Sequence, residues 1–426
     1  MTLPIYNLLI RFLTPLILLR QLFKSLKEPA YRHRLRERLG YCSKNLPKQA
    51  IWIHAVSVGE TVACVPLVAG LRKRYPQHRI LITTMTPSGS EQVRRSFGNS
   101  VDHAYLPYDL PGAMRRFVGQ LQPYMCVIIE TELWPNMIRE CARNNVPTAL
   151  VNARLSEKSA RGYGRIPKLV NDMFAGLTIV AAQSETAGDR FLALGLDQDK
   201  LHIGGSIKFD CILDDVTKRR AVKLRKSWDP ECTRPIWIAA STHKGEEAII
   251  LDVHKKLMAS HPDAMLVLVP RHRHRMESVY KLCQRRNMTV IRRSRAQAVS
   301  DCSQVVLGDT IGELSLLYGA CDLAFVGGSL VPRGGHNMIE PAAWGLPIVC
   351  GTNTFNFPEV AAALSRSGGQ QCVHNAQQLL LQLERLLPDV SGRRTVGEAN
   401  RALVASHRGA VEKQLSILDC LISDAA

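Results

Sequence analysis

Two long blocks of the chain repeat one rhythm, and that rhythm constrains the fold more than any single motif. From residue 50 onward, short runs rich in β-branched residues alternate with longer amphipathic stretches. Strand candidates in the first block are Ile51–Ala55, Ile80–Thr84, Ala104–Leu106, Met125–Ile129, Thr148–Asn152 and Leu177–Ala181, with helices such as Thr61–Arg74 and Ser90–Phe97 between them. The second block continues with Ile236–Ala240, Met265–Val269, Thr289–Ile291, Val305–Leu307, Leu323–Val326 and Pro347–Cys350. Strands apolar on both faces and separated by helices belong to parallel sheets covered on each side. Two such blocks predict an α/β protein of two doubly wound, Rossmann-like domains facing a cleft. The length of 426 residues agrees, since a domain averages roughly 150. The expected boundaries are 1–40 for an apolar and basic N-terminal segment, 41–209 and 236–395 for the two domains, 210–235 for a charged linker, and 396–426 for a C-terminal helix. In open sheets of this kind, ligands gather at the carboxyl ends of the strands.

Residues 4–19 are apolar except for Asn7, Arg11 and Thr14, with Pro15 inside the run. That is short of the roughly 20 residues of a clean spanning helix, and no small-residue cleavage site follows it. Arg20, Lys24, Lys27, Arg32, Arg34, Arg36 and Arg38 come next. Basic residues beside an apolar segment stay cytoplasmic and attract anionic headgroups. The segment reads as a membrane foot, spanning or lying in the interface, with an ordinary buried helix as the alternative.

Charge points the same way. Lys plus Arg number 55 against 37 Asp plus Glu, a net charge of +18, which calls for an anionic partner. Aromatics at 6% are too few for the stacking platforms of a single-strand nucleic-acid binder, so no nucleic-acid partner is expected. The 12 cysteines are scattered from Cys42 to Cys420 without a C-x-x-C pair, as in a reducing compartment.

The chemistry-bearing residues fall at strand ends. His54-Ala55-Val56-Ser57-Val58-Gly59-Glu60 follows the first strand, placing Glu60 either as a general base or as a residue that favours the helix N-terminus. Glu130 and Glu132 follow Met125–Ile129, where one of them could instead cap the next helix. Gly204-Gly205-Ser206-Ile207-Lys208 offers amide donors and a cation. In the second block, His243 follows one strand with Gly245-Glu246-Glu247 behind it, and Pro270-Arg271-His272 follows the next, where an Arg can meet a phosphate. Asp309-Thr310-Ile311-Gly312-Glu313 precedes a helix. Gly327-Gly328-Ser329 and Gly334-Gly335-His336-Asn337-Met338-Ile339-Glu340 would let a backbone approach a phosphate, with Glu340 accepting from ribose hydroxyls. His272, His274, Arg273 and Arg275 read as one phosphate contact in a solvated basic rim. The chain has no G-x-G-x-x-G turn and nothing that resembles a divalent-metal D-x-D site, so a transfer without metal or cofactor is expected.

Taken together, HAVSVGE, TTMTPSGSE, YLPYDLP, ETELWPN, NARLS, GSIKFD, STHKGEE, LVPRH, GDTIGEL, FVGGSLVPRGGHNMIEPA and TFNF resemble the 3-deoxy-D-manno-octulosonic acid (Kdo) transferases of Gram-negative bacteria. The likeness covers nearly the whole chain. It implies an inverting glycosyltransferase of GT-B fold that moves Kdo from CMP-Kdo to the lipid A precursor (lipid IVA) at the cytoplasmic face of the inner membrane, in lipopolysaccharide core synthesis. It makes Glu60 the general base, and Glu130 and Lys208 stabilisers of the transition state. It assigns CMP to Pro270, Arg271, Ile311, Gly312, Glu313, Asn337, Met338, Ile339 and Glu340, the acceptor to 41–209 and the nucleotide to 236–395. An anionic donor, a phosphorylated glycolipid acceptor and an acidic membrane surface would account for the charge. A UDP-sugar enzyme of the same fold, a basic nucleic-acid-binding protein and a membrane-associated scaffold are the rival readings.

Overall fold

The computed structural model describes residues 1–42, 46–211, 213–295 and 297–423. It divides into two units, Met1–Asp210 with His407–Ala426, and Cys211–Ser406. Each is built on a seven-stranded parallel sheet. Unit 1 holds β1 (Ile51–His54), β2 (Ile80–Thr84), β3 (Asp102–Tyr105), β4 (Met125–Ile129), β5 (Thr148–Ala153), β6 (Ile179–Ala182) and β7 (Leu201–Ile203), ordered 3-2-1-4-5-6-7. Unit 2 holds β8 (Ile236–Thr242), β9 (Met265–Pro270), β10 (Val290–Arg292), β11 (Val305–Leu307), β12 (Leu323–Val326), β13 (Ile348–Gly351) and β14 (Gln370–Val373), ordered 10-11-9-8-12-13-14.

Strands without visible alternation are explained by burial on both faces. Trp52, Cys126, Ile128 and Leu150 belong to one apolar cluster, while their neighbours Ile51, Ile53, Val127 and Val151 belong to another. Unit 2 repeats this with Trp237 and Leu266 on one side and Ile236 and Val267 on the other. Strand order reverses between β1 and β4 in unit 1, and between β8 and β12 in unit 2. At a reversal the flanking loops leave in opposite directions and open a crevice above the sheet.

Three expectations need correction. The stretch 210–235 is not a bare linker: it carries the helix Asp215–Trp228, whose Ala221, Leu224 and Trp228 are buried in unit 2. Expected as one helix, 61–74 is broken at Cys64, where Pro66 in the next first turn cannot continue the hydrogen-bond ladder. The C-terminal 396–426 is likewise two elements: Val390–Ser406 in unit 2 and Ala410–Ser423 in unit 1, separated at Gly409 with φ +90°.

The N-terminal helix spans Leu3–Lys27, longer than its apolar run. Its uncharged polar residues face the protein. Tyr6 donates to Asp109 at 2.9 Å, Asn136 donates to Asn7 at 2.7 Å, Gln21 is bonded by the Tyr108 hydroxyl and donates to the Tyr31 carbonyl, and Arg32 donates to Ser25 at 2.8 Å. Asn7, Thr14 and Gln21, spaced by seven, share that stripe. The outer face carries Leu8, Phe12, Leu16, Leu19, Phe23 and Leu26, with Phe12 72% exposed. Lengthwise this helix could cross a membrane.

The last helix is tied into unit 1 by polar contacts. Asp210 accepts from the amides of Gly409 and Val411, capping Ala410–Ser423. Buried Gln414 then accepts from Asn152 N at 3.0 Å and donates to Gly205 O at 2.7 Å, joining β5 to the loop that carries Lys208. Gln414→Ala strands the buried Asn152 N–H, which costs roughly 1–3 kcal/mol, and a part-buried Gly205 carbonyl, which costs about 1 kcal/mol. We expect unit 1 to unfold at lower denaturant by about 2–4 kcal/mol, measured by chemical unfolding; an unchanged midpoint would show that the contacts contribute nothing net.

Candidate active site

Loops from the two sides of the unit 1 reversal bring Glu60, Glu130 and Glu132 into one neighbourhood. Ser57 ends the loop after β1 and caps the helix Val58–Ala63, accepting from Glu60 N at 3.3 Å. Its hydroxyl donates back to Glu60 Oε1, and Val56 N donates to Oε2, both at 2.8 Å. Glu60 therefore does brace the helix start, as the blander reading held. That bracing fixes the carboxylate where it is 9% exposed. Burial, joined by repulsion from Glu130 and Glu132, outweighs those two donors and pushes its pKa up to about 7.

Glu130 closes β4 with φ +63°, a left-handed conformation that a non-glycine residue holds at some cost. Lys208 Nζ meets Glu130 Oε1 at 2.6 Å, with both side chains about four-fifths covered. Asn152 at the end of β5, also left-handed, accepts from Ile207 N at 3.2 Å and so orients the turn Ile207–Phe209 around Lys208. Glu132 accepts from Trp134 Nε1 at 3.1 Å, and burial raises its pKa. Val56, Ser57, Thr86, Ser88, Glu132 and Trp134 line a depression of about 530 Å³ beside these groups.

In unit 2 the expected phosphate loop has another tenant. The amides of Gly328, Ser329 and Leu330 donate at 2.7–3.1 Å to the buried carboxylate of Glu246, which also takes His243 N at 2.9 Å. Those amides are thus satisfied from within the protein and do not serve as an open anion cradle, contrary to the reading of the glycines. The other expected residues stay at the carboxyl edge. Pro270 closes β9, and Arg271 after it is exposed, its amide bonded to Thr242 O. Exposed Ile311 and Gly312, with φ +81°, form an open turn. Burial works to raise the Glu313 pKa, but bonds from Thr310 at 2.6 Å and Arg293 at 3.1 Å, with Arg220 nearby, hold it below the usual value. Asn337 donates to Glu340 at 3.0 Å and accepts from Ile339 N at 2.9 Å; burial raises the Glu340 pKa against that bond. The side chains of Met338 and Ile339 are fully buried, so only their backbone is available to a ligand.

Among the described residues, no three His, Cys, Asp or Glu side chains gather as a metal-holding cluster. Sequence reasoning missed Asn152 and Gln414, which position Lys208, and the role of Glu246. A polar residue after an apolar strand was a signal for Asn152; nothing local marks Gln414 inside an amphipathic helix.

A family model described as 3-deoxy-D-manno-octulosonic-acid transferase (kdotransferase) matches residues 33–211. The 3-deoxy-D-manno-octulosonic acid transferase of Haemophilus influenzae is 44% identical over 416 residues, 97% of each chain. That of Bordetella pertussis is 35% identical over 378 residues, 87% of this chain and 86% of its own. Among solved structures, a glycosyltransferase from Rickettsia africae matches with a TM-score of 0.59 and 14% identity, over 88% of this chain and 99% of its own. A UDP-GlcNAc 2-epimerase from Neisseria meningitidis matches with a TM-score of 0.56 and 14% identity, over 86% and 100%. Those two likenesses show the fold, a two-domain α/β architecture of GT-B type, shared by enzymes of different chemistry. The sequence relatives go further, and the chain belongs to the family of 3-deoxy-D-manno-octulosonic acid transferases, which makes it a glycosyltransferase.

Proposed function

We propose that the chain moves Kdo from CMP-Kdo to a sugar hydroxyl of the lipid A precursor lipid IVA, with inversion and release of CMP, in lipopolysaccharide core synthesis. The observation that carries the reading is Glu60: a carboxylate at the carboxyl end of the central strand, held by two donors, with its pKa near 7. A general base works best with a pKa near the working pH. Glu60 takes the hydroxyl proton as the acceptor oxygen attacks the anomeric carbon of Kdo. The bond from that carbon to the phosphate oxygen breaks, and its electron pair leaves with CMP. Attack opposite the leaving group inverts the centre. Glu130 and Lys208 supply both signs of charge beside the base, Glu130 for positive charge building on the anomeric carbon and Lys208 for the anionic groups of the sugars. In unit 2, Pro270, Arg271, the turn Ile311-Gly312-Glu313 and residues 337–340 take CMP. The step as proposed draws all its charge from side chains.

The acceptor is a lipid, and the N-terminal helix supports a site of action on the inner membrane's cytoplasmic side. A helix bonded to its own unit from Tyr6 to Ser25 cannot cross a bilayer without carrying that unit along. Its apolar outer face instead lies in the interface, next to Arg20, Lys24 and Arg36 for anionic headgroups.

Glu60→Gln should lower the transfer rate by about 10³-fold or more while CMP affinity, measured by calorimetry, stays within about twofold; retention of turnover removes Glu60 as the base. In the native enzyme, at saturating donor, kcat/KM for the acceptor should rise with pH through about 7 as Glu60 loses its proton, then level off; a profile flat across that region contradicts the assignment. Replacing Phe12, Leu16 and Phe23 together by Ser should cut flotation with anionic vesicles by about tenfold or more without lowering thermal stability. A tag at Met1 should stay open to protease added outside the vesicles; protection would mean that the helix spans.

A further inference from the structure

Three imidazoles from three separate segments meet at the carboxyl edge of the second sheet. His243 follows β8, His272 follows β9, and His336 lies in the loop before the helix Ile339–Trp344. His243 Nε2 and His336 Nε2 are 2.8 Å apart, with ring centroids at 5.1 Å and planes 7° apart. Parallel rings in face contact could not bring two nitrogens so close. The rings therefore meet edge to edge in one plane, joined by an N–H···N hydrogen bond. Two Nε2–H groups would collide there and two bare nitrogens would repel, so a single proton lies between the rings and the pair carries at most one positive charge. His272 packs its ring at 80° to His243, 5.2 Å away.

The arrangement is held from beneath. At Gly328, where φ is +72°, a side chain would press on the His336 ring at 3.0 Å, so glycine favours this approach. Gly335 N bonds Gly328 O at 2.9 Å, and one oxygen of Glu246 takes both His243 N and Gly328 N. The charges around the pair are Arg333 from its own loop, Arg271, His272, His274 and Arg275 from the segment after β9, and Glu246 and Glu247 from the helix after β8. Glu246 is taken up by four amides, and Glu247 is paired with Arg275 at 2.5 Å. Positive charge is left in excess. Burial and Arg271 bring His336 down to about 4, and burial with Arg333, Arg271 and Arg275 lowers His243. Near neutral pH, with only protein charges about them, both rings are neutral.

We propose that the His243–His336 pair takes up one proton when the phosphate of the nucleotide binds beside Arg271 and Asn337, so that nucleotide binding is proton-coupled. This rests on the reading of unit 2 as the CMP site. The phosphate's negative charge offsets the arginines that kept the rings neutral. The ring that already donates its Nε2–H then accepts a solvent proton at Nδ1, and the cation that forms faces the phosphate. When the donor's glycosidic bond breaks and its electron pair stays on the phosphate oxygen, that cation offsets the added charge.

The test is calorimetry of CMP binding at about pH 7.5 in buffers of different ionisation enthalpy, with cytidine as the control that lacks phosphate. The native protein should take up between about half and one proton per CMP and none with cytidine, and its CMP affinity should fall by up to about tenfold per pH unit as pH rises. His243→Gln and His336→Asn, each checked for unaltered thermal unfolding, should bind CMP without that uptake. Both histidines are only partly buried, so both variants are expected to fold. Binding of CMP by the native protein with no proton uptake overturns the proposal alone, as does uptake that persists in both variants, since the proton would then sit on the phosphate or His272. Failure of CMP to bind at all overturns the nucleotide reading and the proposal with it.

Discussion

Everything functional in this molecule depends on the geometry of a parallel ladder. Because all strands of each sheet run the same way, each strand delivers its following loop to one edge. Where the strand order reverses, the loops diverge, and space is left above the two central strands. In unit 1 those strands are β1 and β4, which deliver Glu60 and Glu130; in unit 2 they are β8 and β12, which deliver Glu246 and the Gly327-Gly328-Ser329 loop. Neither pair is close in sequence. Their meeting follows from the order in which strands were added to the sheet.

Glu60 and Glu246 show how one topological position serves two ends. Each sits in the first turn of the helix after the first strand of its sheet. Glu246 is surrounded by four backbone amides, so its oxygens are saturated and it works as a clamp on the neighbouring loop. Glu60 has two donors and faces other carboxylates, so it is left poised between its charged and neutral forms. What separates a saturated carboxylate from a poised one here is the supply of hydrogen-bond donors.

Much of this was legible in the sequence. The strands Ile80–Thr84, Met125–Ile129, Val305–Leu307 and Leu323–Val326 stand where their apolar runs put them, because burial on both faces leaves a continuous signal. The edge strands β7 and β14 were not anticipated. Leu201-His202-Ile203 is partly exposed, and Gln370-Gln371-Cys372-Val373 begins with two amides, so neither presents an apolar run. The helix Asp215–Trp228 was hidden for the opposite reason: its Lys and Arg residues mask an apolar stripe only three residues wide. Residue types after strands were enough to put Glu60, Glu130 and Arg271 at the carboxyl edges of their sheets. Which amides were already taken could not be read, since Glu246 and Gly328 are 82 positions apart.

The chain leaves unit 1 at Asp210 and returns to it at His407. A ribosome making this protein therefore synthesises the whole second unit before it makes Gln414, the residue that ties β5 to the Lys208 turn. The half translated first is the half finished last. Until the helix Ala410–Ser423 has been made, unit 1 must persist with its sheet exposed where Leu415 and Leu418 will pack. A nonsense change before Gln414 would thus damage unit 1, whose first strand the chain had made more than 350 residues earlier, and leave unit 2 intact.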